Sequence, residues 1–342
     1  MKTAIVSGVS GMDGIYMTEL LLSKGYRVVG FHRQNTPFRV SRVSHLLADF
    51  NFSLQEGSLC DRAFIDHIIG EVQPDLFFNA GAQSSVSDSF KNPQYTFEVN
   101  LGGVTNCLES IKRKSKDTRF VQFSSSEIFG NNRDSDLMQR ETTPVAPKSP
   151  YAVSKLAADE LCKMYRDTYG IFACSAICFN HTGPRRSSNF VEKKIVNWIK
   201  RHKDALTNNL GVYSSDNSSV FSLLTANGSI YRSKKLNLGN ISVKRDFGHA
   251  KDYMRAILAI SEADRPADYV IATETAYSIE DILDYIFKKF NLDYKELIYI
   301  DPGLFRPSDT DFVCGDSTSL KDELGWSPKY SMQQILDEML DE

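Results

Sequence analysis

Three glycines spaced three residues apart, Gly8, Gly11 and Gly14, follow a short apolar run at the start of the chain. The run, residues 3–7, is typical of a buried parallel strand, and the residues after the glycines have helical character. In this context the glycines allow a tight turn, close approach of the backbone to a pyrophosphate, and close packing of helix on strand. The helix N-terminus presents N–H groups and a positive dipole end to phosphates. The motif therefore predicts a dinucleotide-binding unit that holds a nicotinamide cofactor.

Strand-like and helical stretches alternate along the first half of the chain. Further strands are predicted at residues 26–31, 52–55, 76–79, 120–123 and 172–178, and helices at 61–71, 94–115 and 151–168. Strands separated by helices of this length form βαβ units. We therefore predict an α/β fold: a doubly wound parallel Rossmann sheet with a smaller C-terminal α/β substrate-binding lobe.

The alternation becomes less regular after about residue 180. We predict that residues 1–180 form the cofactor-binding Rossmann domain, that the segment at about 236–260 returns to it, and that 181–342 mainly form the second lobe. Residues 204–235 are rich in Asn, Ser, Thr and Gly, which indicates an inserted, solvent-exposed surface loop. Two short apolar runs inside this segment, at 220–224 and 229–231, suggest a hairpin.

Composition and charge exclude several classes of partner. The 342 residues carry a formal net charge of −3, so no nucleic-acid or membrane partner is expected. The six cysteines show no C-x-x-C spacing, and we predict no metal site. No apolar run approaches the length of a membrane span, and the strand at the N-terminus leaves no room for a signal peptide. We expect a cytoplasmic protein.

The end of the predicted second strand bears on the choice between NAD and NADP. An NAD site usually has a carboxylate here, which holds the ribose 2′-hydroxyl. This chain has Gly-Phe-His-Arg-Gln at residues 30–34, with Arg33 and no acid. Because a guanidinium pairs well with a phosphate, the sequence favours NADP.

Cofactor contacts are also expected in two loops at the carboxyl ends of the strands. Small residues after the predicted fourth strand let the backbone approach the cofactor closely. With the glycine-rich turn, the predicted contacts are Gly8, Ser10, Gly11, Met12, Asp13, Gly14, Arg33, Asn79, Ala80, Gly81 and Gln83.

A serine cluster and a Y-x-x-x-K pair predict a proton-transfer site. The sequence Ser-Ser-Ser-Glu at 124–127 follows the predicted fifth strand, and Tyr151 and Lys155 open a predicted helix. Tyr and Lys at this spacing share one helix face. A lysine ammonium near a phenol favours the phenolate and brings the pKa of the tyrosine towards working pH. A nearby serine can hydrogen-bond the same oxygen, so the set suits proton exchange with a substrate hydroxyl.

The chain resembles the extended short-chain dehydrogenase/reductase superfamily and, within it, the GDP-mannose 4,6-dehydratases. Matching stretches run nearly from end to end. They are residues 8–14, 79–86, 124–130, 141–144, 149–155, 179–181, 184–186, 189–191, 238–240, 244–253 and 306–307. Pro-Arg-Arg at 184–186, Lys-Arg-Asp at 244–246 and Phe-Arg-Pro at 305–307 are more specific than the glycine motif, because other nucleotide-sugar enzymes lack this set.

The resemblance implies conversion of GDP-mannose to GDP-4-keto-6-deoxymannose by C4 oxidation, loss of water across C5–C6 and hydride return to C6, with NADP recycled in each turnover. Tyr151 would take the proton of the C4 hydroxyl. Lys155 would lower the pKa of Tyr151 and hold the nicotinamide ribose, so both residues would also contact the cofactor. Glu127 would remove the C5 proton, and Ser125 completes the implied catalytic set.

The resemblance also implies a GDP-sugar site in the second lobe, where cationic side chains clamp the diphosphate. The implied substrate-binding residues are Ser84, Ser126, Asn180, Arg185, Asn189, Lys194, Arg245 and Arg306. For Arg186 and Lys193, the alternative to substrate binding is an ordinary salt bridge. Family members form dimers or tetramers, so we expect a homodimer or homotetramer, with Arg42 matching an arginine-bearing assembly loop.

Several positions depart from the family pattern. The usual threonine of the catalytic cluster is Ser125, and the usual tyrosine two positions after the glutamate is Phe129. A second arginine usual at the end of the second strand is Gln34, and a glutamate usual before the Pro-Arg-Arg block is Thr182. Typical members lack the Asn- and Ser-rich insertion. These differences leave the reaction class unchanged and the identity of the sugar open.

Three alternatives therefore remain at this stage. The first is the same chemistry on another GDP-sugar, such as a GDP-manno-heptose. The second is a GDP-sugar C4 oxidoreductase or epimerase, which would need no carboxylate such as Glu127 beside the Ser/Tyr/Lys set. The third is a non-catalytic nucleotide-sensing scaffold, which predicts a broken Ser/Tyr/Lys set, whereas this set is whole.

Overall fold

A computed structural model of the chain describes residues 1–33, 41–213, 219–305 and 310–342. Its largest sheet has seven strands: β1 (Thr3–Ser7), β2 (Arg27–His32), β3 (Phe52–Glu56), β4 (Leu76–Asn79), β5 (Arg119–Phe123), β6 (Ala173–Cys178) and β13 (Tyr269–Ile271). They lie in the order β13-β6-β5-β4-β1-β2-β3, and all neighbouring pairs are parallel. This is the strand order of a doubly wound Rossmann sheet, extended by β13, so the predicted fold class is confirmed.

Helices cover both faces of this sheet. They are α1 (Met12–Ser23), α2 (Arg62–Val72), α3 (Val86–Lys91), α4 (Pro93–Phe97), α5 (Gly103–Lys114), α6 (Pro150–Tyr169), α8 (Ala250–Glu262) and α10 (Thr318–Leu324). Side chains alternate between the faces along β1: Ala4 and Val6 are buried with α1 and α8, and Ile5 is buried with α2, α5 and α6. No helix in the described ranges combines the length and apolarity that crossing a bilayer requires.

The start of α6 is set by local sequence. Ser149 precedes the helix, and its side chain accepts a hydrogen bond from the Ala152 N–H over 3.1 Å. Pro150 occupies the first helical position, where a backbone N–H is not needed. Gly170, with a φ of 65°, ends the helix. This start places Tyr151 in the first turn and Lys155 in the second.

A second buried cluster lies among elements that follow β6. Its helices are α7 (Val191–Thr207), α9 (Ile279–Lys288) and α11 (Met332–Asp341). The associated strands are β7 (Asn180–Thr182), β8 (Asn209–Tyr213), β9 (Val220–Thr225), β10 (Ile230–Lys234), β11 (Leu236–Leu238), β12 (Lys244–His249), β14 (Ala276–Ser278), β15 (Ile298–Ile300) and β16 (Phe312–Val313). They pair as β10-β9-β8, β11-β15 and β14-β12-β16, and β7 also pairs with β12. We call this assembly the second lobe.

The predicted insertion is more ordered than its composition suggests. Residues 204–207 form the last turn of α7, and β9 and β10 form the predicted hairpin, with Tyr231 opposite Leu223. A third strand, β8, pairs with β9 and was not predicted. Phe221 and Leu223 are fully buried in the second lobe. The prediction of a solvent-exposed loop is therefore wrong for these strands, because polar residues at alternate positions concealed an inward apolar face.

The segment predicted to return to the Rossmann domain divides between the two clusters. Within α8, Tyr253 and Ile257 pack against the large sheet. Leu238 of β11 and Phe247 of β12 are buried in the second lobe instead. The division of the chain into domains at residue 180 stays a prediction.

Candidate active site

The glycine-rich turn between β1 and α1 is closely packed at two of its three glycines. Gly8 has a φ of 62°, and a Cβ there would lie 2.7 Å from the Gly81 Cα. A Cβ on Gly14 would lie 2.7 Å from the Val9 Cα, within the turn that α1 packs against. Both positions therefore require glycine, as the motif predicts.

The third glycine, Gly11, is exposed at the N-terminus of α1. Within the part of the chain that the structure describes, no side chain caps this helix. The first N–H groups of α1 are thus available to an anionic ligand. Ser10 and Met12, predicted to contact the cofactor, are buried in the same turn.

Hydrogen bonds fix the loop after β4 against β1, where the strand order reverses. The Ser7 hydroxyl donates to Asn79 Oδ1 over 2.6 Å and accepts from the Gly81 N–H over 2.9 Å. Ala80 and Gln83, in the same loop, are half-buried. The two loops predicted to hold the cofactor therefore meet at one edge of the sheet, at the position where ligands of such folds bind.

Asp13, in the first turn of α1, is tied to the second lobe through His181 of β7. His181 Nε2 lies 3.0 Å from Asp13 Oδ1, and its Nδ1 lies 2.8 Å from the Phe179 carbonyl oxygen. Burial raises the pKa of Asp13, but His181 and, less strongly, Arg186 outweigh it, so this pKa lies below its ordinary value. The glycine-rich turn is therefore followed by a carboxylate whose ionised form is stabilised by neighbouring groups.

Arg33 is exposed immediately after β2. Its Cζ lies 5.7 Å from the centre of the Tyr95 ring, a geometry that favours cation–π attraction. Gln34, the departure from the family pattern that follows, lies outside the described residues. The guanidinium thus stands at the carboxyl end of β2, where a 2′-phosphate contact is predicted.

Three consecutive residues at the end of β5 contact three residues on one face of α6. The helix residues are spaced by four, so their side chains lie one above another. The contacts are Phe123 with Lys155, Ser124 with Asp159, and Ser125 with Tyr151. The strand end thereby positions the predicted catalytic pair.

Tyr151 and Lys155 are both buried. Lys155 Nζ donates to the Phe123 carbonyl oxygen over 2.7 Å and lies 5.9 Å from the centre of the Tyr151 ring. Burial raises the pKa of Tyr151 well above its ordinary value, and the charge of Glu127 adds to this effect. The hydrogen bond with Ser125 acts in the opposite direction. Deprotonation of the phenol therefore depends on groups that stabilise the phenolate, and a contribution of Lys155 to this stays a prediction.

Glu127 lies in a 3-10 turn, Ser126–Phe129, next to the serine that contacts Tyr151. Its N–H donates to the Ser125 hydroxyl oxygen over 3.3 Å, and its side chain is half-buried. Phe129, where the family usually has tyrosine, is buried, with its ring centre 6.4 Å from that of Phe179. The turn therefore holds a carboxylate close enough for its charge to act on Tyr151.

Two of the cations implied in substrate binding lie in the second lobe. Lys194 on α7 donates from Nζ to the Asn237 carbonyl oxygen over 2.5 Å, and burial lowers the pKa of this lysine. Arg245 on β12 is buried, and its Nη1 donates to the Lys244 carbonyl oxygen over 2.9 Å. An incoming diphosphate would offer Lys194 a charged acceptor in place of a neutral one.

Arg185 lies against α1. Its Nη2 donates to Glu19 Oε1 over 2.5 Å, and its Cζ lies 5.7 Å from the centre of the Tyr16 ring. Arg42, predicted in an assembly loop, donates to the Arg185 carbonyl oxygen. The structure therefore places Arg185 beside α1, the helix that follows the glycine-rich turn. Its part in substrate binding stays a prediction.

The remaining residues implied in substrate binding differ in exposure. Asn180 is half-buried on β7, and Ser126 is buried after β5. Ser84 and Asn189 are exposed. Arg306 lies outside the described residues. Each of these roles stays a prediction.

Two further residues of this region, Arg186 and Asp159, were not among the predicted site residues. Arg186 donates from Nε to the buried carboxylate of Glu192 over 3.2 Å, which is a salt bridge of the kind given as its alternative, and its role stays a prediction. Its charge also acts on Tyr151 and Asp13. Asp159 was not singled out, although its spacing of four residues from Lys155 was a readable signal.

Comparisons with known proteins identify the family. A family model described as GDP-mannose 4,6 dehydratase matches residues 5–225 and 206–339. GDP-mannose 4,6 dehydratase 1 of Arabidopsis thaliana is 36% identical over 351 residues, which cover 100% of this chain and 89% of that protein. The GDP-mannose 4,6-dehydratase of Vibrio cholerae serotype O1 is 35% identical over 373 residues, covering 99% of this chain and 92% of that protein.

The fold is also similar to that of a solved structure. A dTDP-glucose 4,6-dehydratase from Bacillus anthracis, in complex with NAD, superposes with a TM-score of 0.80 at 21% sequence identity, covering 100% of this chain and 96% of that one. At this identity the likeness supports the fold alone. The family model and the two relatives span nearly the whole sequence, and on that basis the chain belongs to the GDP-mannose 4,6-dehydratase family.

Proposed function

We propose that this chain converts GDP-mannose to GDP-4-keto-6-deoxymannose, with NADP as its cofactor. The observation that carries the proposal is the placement of Ser125 against Tyr151, where it lowers the pKa of the phenol, with Glu127 beside the serine. This set supplies one base for a hydroxyl proton and a separate carboxylate for a second proton. A GDP-sugar C4 oxidoreductase or epimerase needs only the first, so Glu127 favours the dehydratase.

The glycine-rich turn supports binding of a dinucleotide. Gly8 and Gly14 pack too closely for a side chain, while Gly11 leaves the N-terminus of α1 accessible to a pyrophosphate. Gly81 lines the same edge of the sheet, and Lys155 would hold the nicotinamide ribose. When bound there, the nicotinamide ring would supply the hydride chemistry of C4 oxidation and C6 reduction.

Tyr151 would accept the proton of the C4 hydroxyl. Burial raises the pKa of Tyr151, so neighbouring groups must stabilise the phenolate before it can accept that proton. The Ser125 hydroxyl would donate a hydrogen bond to the phenolate oxygen, and the charge of Lys155 would favour the ionised form. These roles account for three residues that β5 and α6 bring together.

Glu127 would act after C4 becomes a keto group, which acidifies the neighbouring C5 proton. The carboxylate would remove that proton and pass it to the C6 hydroxyl, which would leave as water. The proton that Tyr151 took from the C4 hydroxyl balances the one that C5 regains when a hydride adds at C6. Because the charge of Glu127 reaches Tyr151, both groups can serve one sugar ring held between the end of β5 and the second lobe.

The second lobe would bind the nucleotide. Lys194 and Arg245 would pair with the diphosphate, and Asn180 would contact the sugar nucleotide from β7. Burial lowers the pKa of Lys194, and a bound diphosphate would stabilise its charged form. This arrangement supports binding of a GDP-sugar.

Arg33 supports NADP over NAD, because residues 30–32 of β2 contain no acid to hold a ribose 2′-hydroxyl. Replacing Arg33 by Ala should weaken NADP binding about ten-fold or more and leave NAD binding nearly unchanged. Isothermal titration calorimetry with each dinucleotide measures both effects. Equal losses for the two dinucleotides would contradict the assignment of Arg33 to the 2′-phosphate.

The substrate is tested by incubating purified protein with GDP-mannose and NADP and following the products by mass spectrometry. We expect a product lighter by one water, without net accumulation of NADPH. Net NADPH formation without water loss would assign the protein to the oxidoreductases. Dehydration of a GDP-manno-heptose but not of GDP-mannose would identify the heptose as the substrate.

Assembly follows from the family resemblance. We infer a homodimer or homotetramer located in the cytoplasm. Light scattering after size-exclusion chromatography should give two or four times the chain mass of 38.5 kDa. The mass of a single chain would contradict this inference.

A further inference from the structure

Asp159 lies on α6 one turn beyond Lys155 and two turns beyond Tyr151. It is nine-tenths buried, and its carboxylate accepts a hydrogen bond from the Ser124 hydroxyl. The proposed reaction leaves it without a role. A buried carboxylate costs free energy unless donors or an opposite charge compensate it, so its position at this site calls for a partner.

The partner that the fold offers is Lys155. This lysine is only 3% exposed, and its hydrogen bond goes to the Phe123 carbonyl, a neutral acceptor. Burial lowers the pKa of Lys155, and the charge of Asp159 is the largest effect that opposes it. Burial also raises the pKa of Asp159, to about 7, against the Ser124 hydrogen bond and the charge of Lys155. Each group thus favours the charged form of the other.

Other acidic groups around the pair have partners of their own. Asp13 lies 3.0 Å from His181, and Asp268 accepts from Arg166 over 2.8 Å. The buried thiols of Cys162 and Cys178 face the same region. Burial raises the pKa of both thiols, so they stay neutral. Asp159 is therefore the carboxylate left to serve as counter-charge to Lys155.

We propose that Asp159 is a positioning residue of the reaction, whose carboxylate, held by Ser124, keeps Lys155 charged beside Tyr151. The proposal rests on the proposed function of Tyr151 as a base. It also gives two adjacent serines different roles. Ser125 contacts the phenol of Tyr151, whereas Ser124 acts on Asp159 and, through it, on Lys155.

The direct test is Asp159→Asn, which removes the charge and keeps an oxygen acceptor for Ser124. Carbon-13 NMR of protein labelled at lysine Cε follows the ionisation of Lys155, with the signal assigned by Lys155→Met. We expect Lys155 to titrate at lower pH in the variant than in the wild type. An unchanged titration would overturn the proposal, and because no substrate is present this result is independent of what the enzyme turns over.

Turnover of GDP-mannose gives a second readout. We expect kcat of Asp159→Asn to fall about ten-fold or more and the alkaline limb of its pH profile to move to lower pH, because Lys155 loses its proton earlier. The matched control is Asp252→Asn, which removes a fully buried carboxylate on α8 that accepts from Arg255 over 2.5 Å. Losses of equal size in both variants, with the pH profile unmoved, would mean a structural role and contradict the proposal.

Ser124 provides a milder test that does not depend on the folding of Asp159→Asn. Ser124→Ala removes the hydrogen bond and leaves the carboxylate. We expect Lys155 to titrate at lower pH in this variant as well, by a smaller shift, and Ser124→Thr to restore the wild-type titration. Wild-type behaviour of Lys155 in Ser124→Ala would contradict the part assigned to Ser124.

Discussion

His181 joins the second lobe to the start of α1 through Asp13, with 3.0 Å between its Nε2 and the Asp13 carboxylate. The other ring nitrogen lies 2.8 Å from the Phe179 carbonyl oxygen, so each nitrogen faces an acceptor. The ring also stacks on Tyr253, with 4.6 Å between centres. Because β7, which carries His181, pairs with β12, the contact links the strand of Arg245 to the glycine-rich turn.

Replacing His181 by Phe should weaken dinucleotide binding about ten-fold, because it leaves the Asp13 carboxylate without its nearest partner beside the phosphate site. Isothermal titration calorimetry with NADP measures the loss. In the double variant with Asp13→Asn the uncompensated charge is gone, and much of the affinity should return. A double variant as weak as the single one would contradict this electrostatic explanation.

Glu127→Gln keeps the size of the side chain and removes its acid–base function. We expect loss of water from GDP-mannose to slow by about 100-fold or more, while transfer of the C4 hydrogen to the bound cofactor continues with Tyr151 as the base. Substrate deuterated at C4 separates the two steps by mass spectrometry. Tyr151→Phe is the control and should stop both. If Glu127→Gln stops both as well, the two residues do not divide the reaction as proposed.

Asp246 of β12 makes the stability of the fold depend on pH. It is fully buried, accepts hydrogen bonds from the N–H groups of Thr273 and Glu274, and its pKa is raised by burial from 3.8 to about 6. Because the folded pKa is the higher one, its stabilising contribution is fully present below 3.8 and is lost as pH rises through about 6.

Asp246→Asn should not show this loss. Relative to the wild type, its free energy of unfolding should therefore rise by up to about 3 kcal/mol between about pH 4 and about pH 7. Urea unfolding at the two pH values gives the difference. Parallel pH dependence of the two proteins would show that Asp246 does not titrate in this range.

Phe221 tests whether the β8-β9-β10 sheet is part of the core. The side chain is fully buried, whereas Ile230 on the neighbouring strand is 75% exposed. Phe221→Ala should lower the free energy of unfolding by about 3–5 kcal/mol, and Ile230→Ala should change it by less than about 0.5 kcal/mol. Urea unfolding measures both, and a small effect of Phe221→Ala would mean that these strands contribute little to the fold.

Much of the Rossmann sheet could be predicted because its signals are local. The glycine spacing and the alternation of strands and helices depend on near neighbours, and helical periodicity alone brings Tyr151 and Lys155 to one face. Asp159 has the same periodicity, but its role depends on Ser124, 35 residues away. The contact of Arg185 with Glu19 spans 166 residues and had no local signal. The site could be predicted where one element sets the geometry, and not where two distant elements meet.

The β8-β9-β10 sheet limits how this chain could be shortened. Trp198 of α7 packs on Phe221, with 5.5 Å between ring centres, and donates from Nε1 to the Lys234 carbonyl oxygen over 3.2 Å. Deleting these strands would expose the indole to water and remove part of the packing of the helix that carries Lys194. A deletion would therefore need new polar residues on α7, so these strands are an integral support of that helix and not a removable appendage.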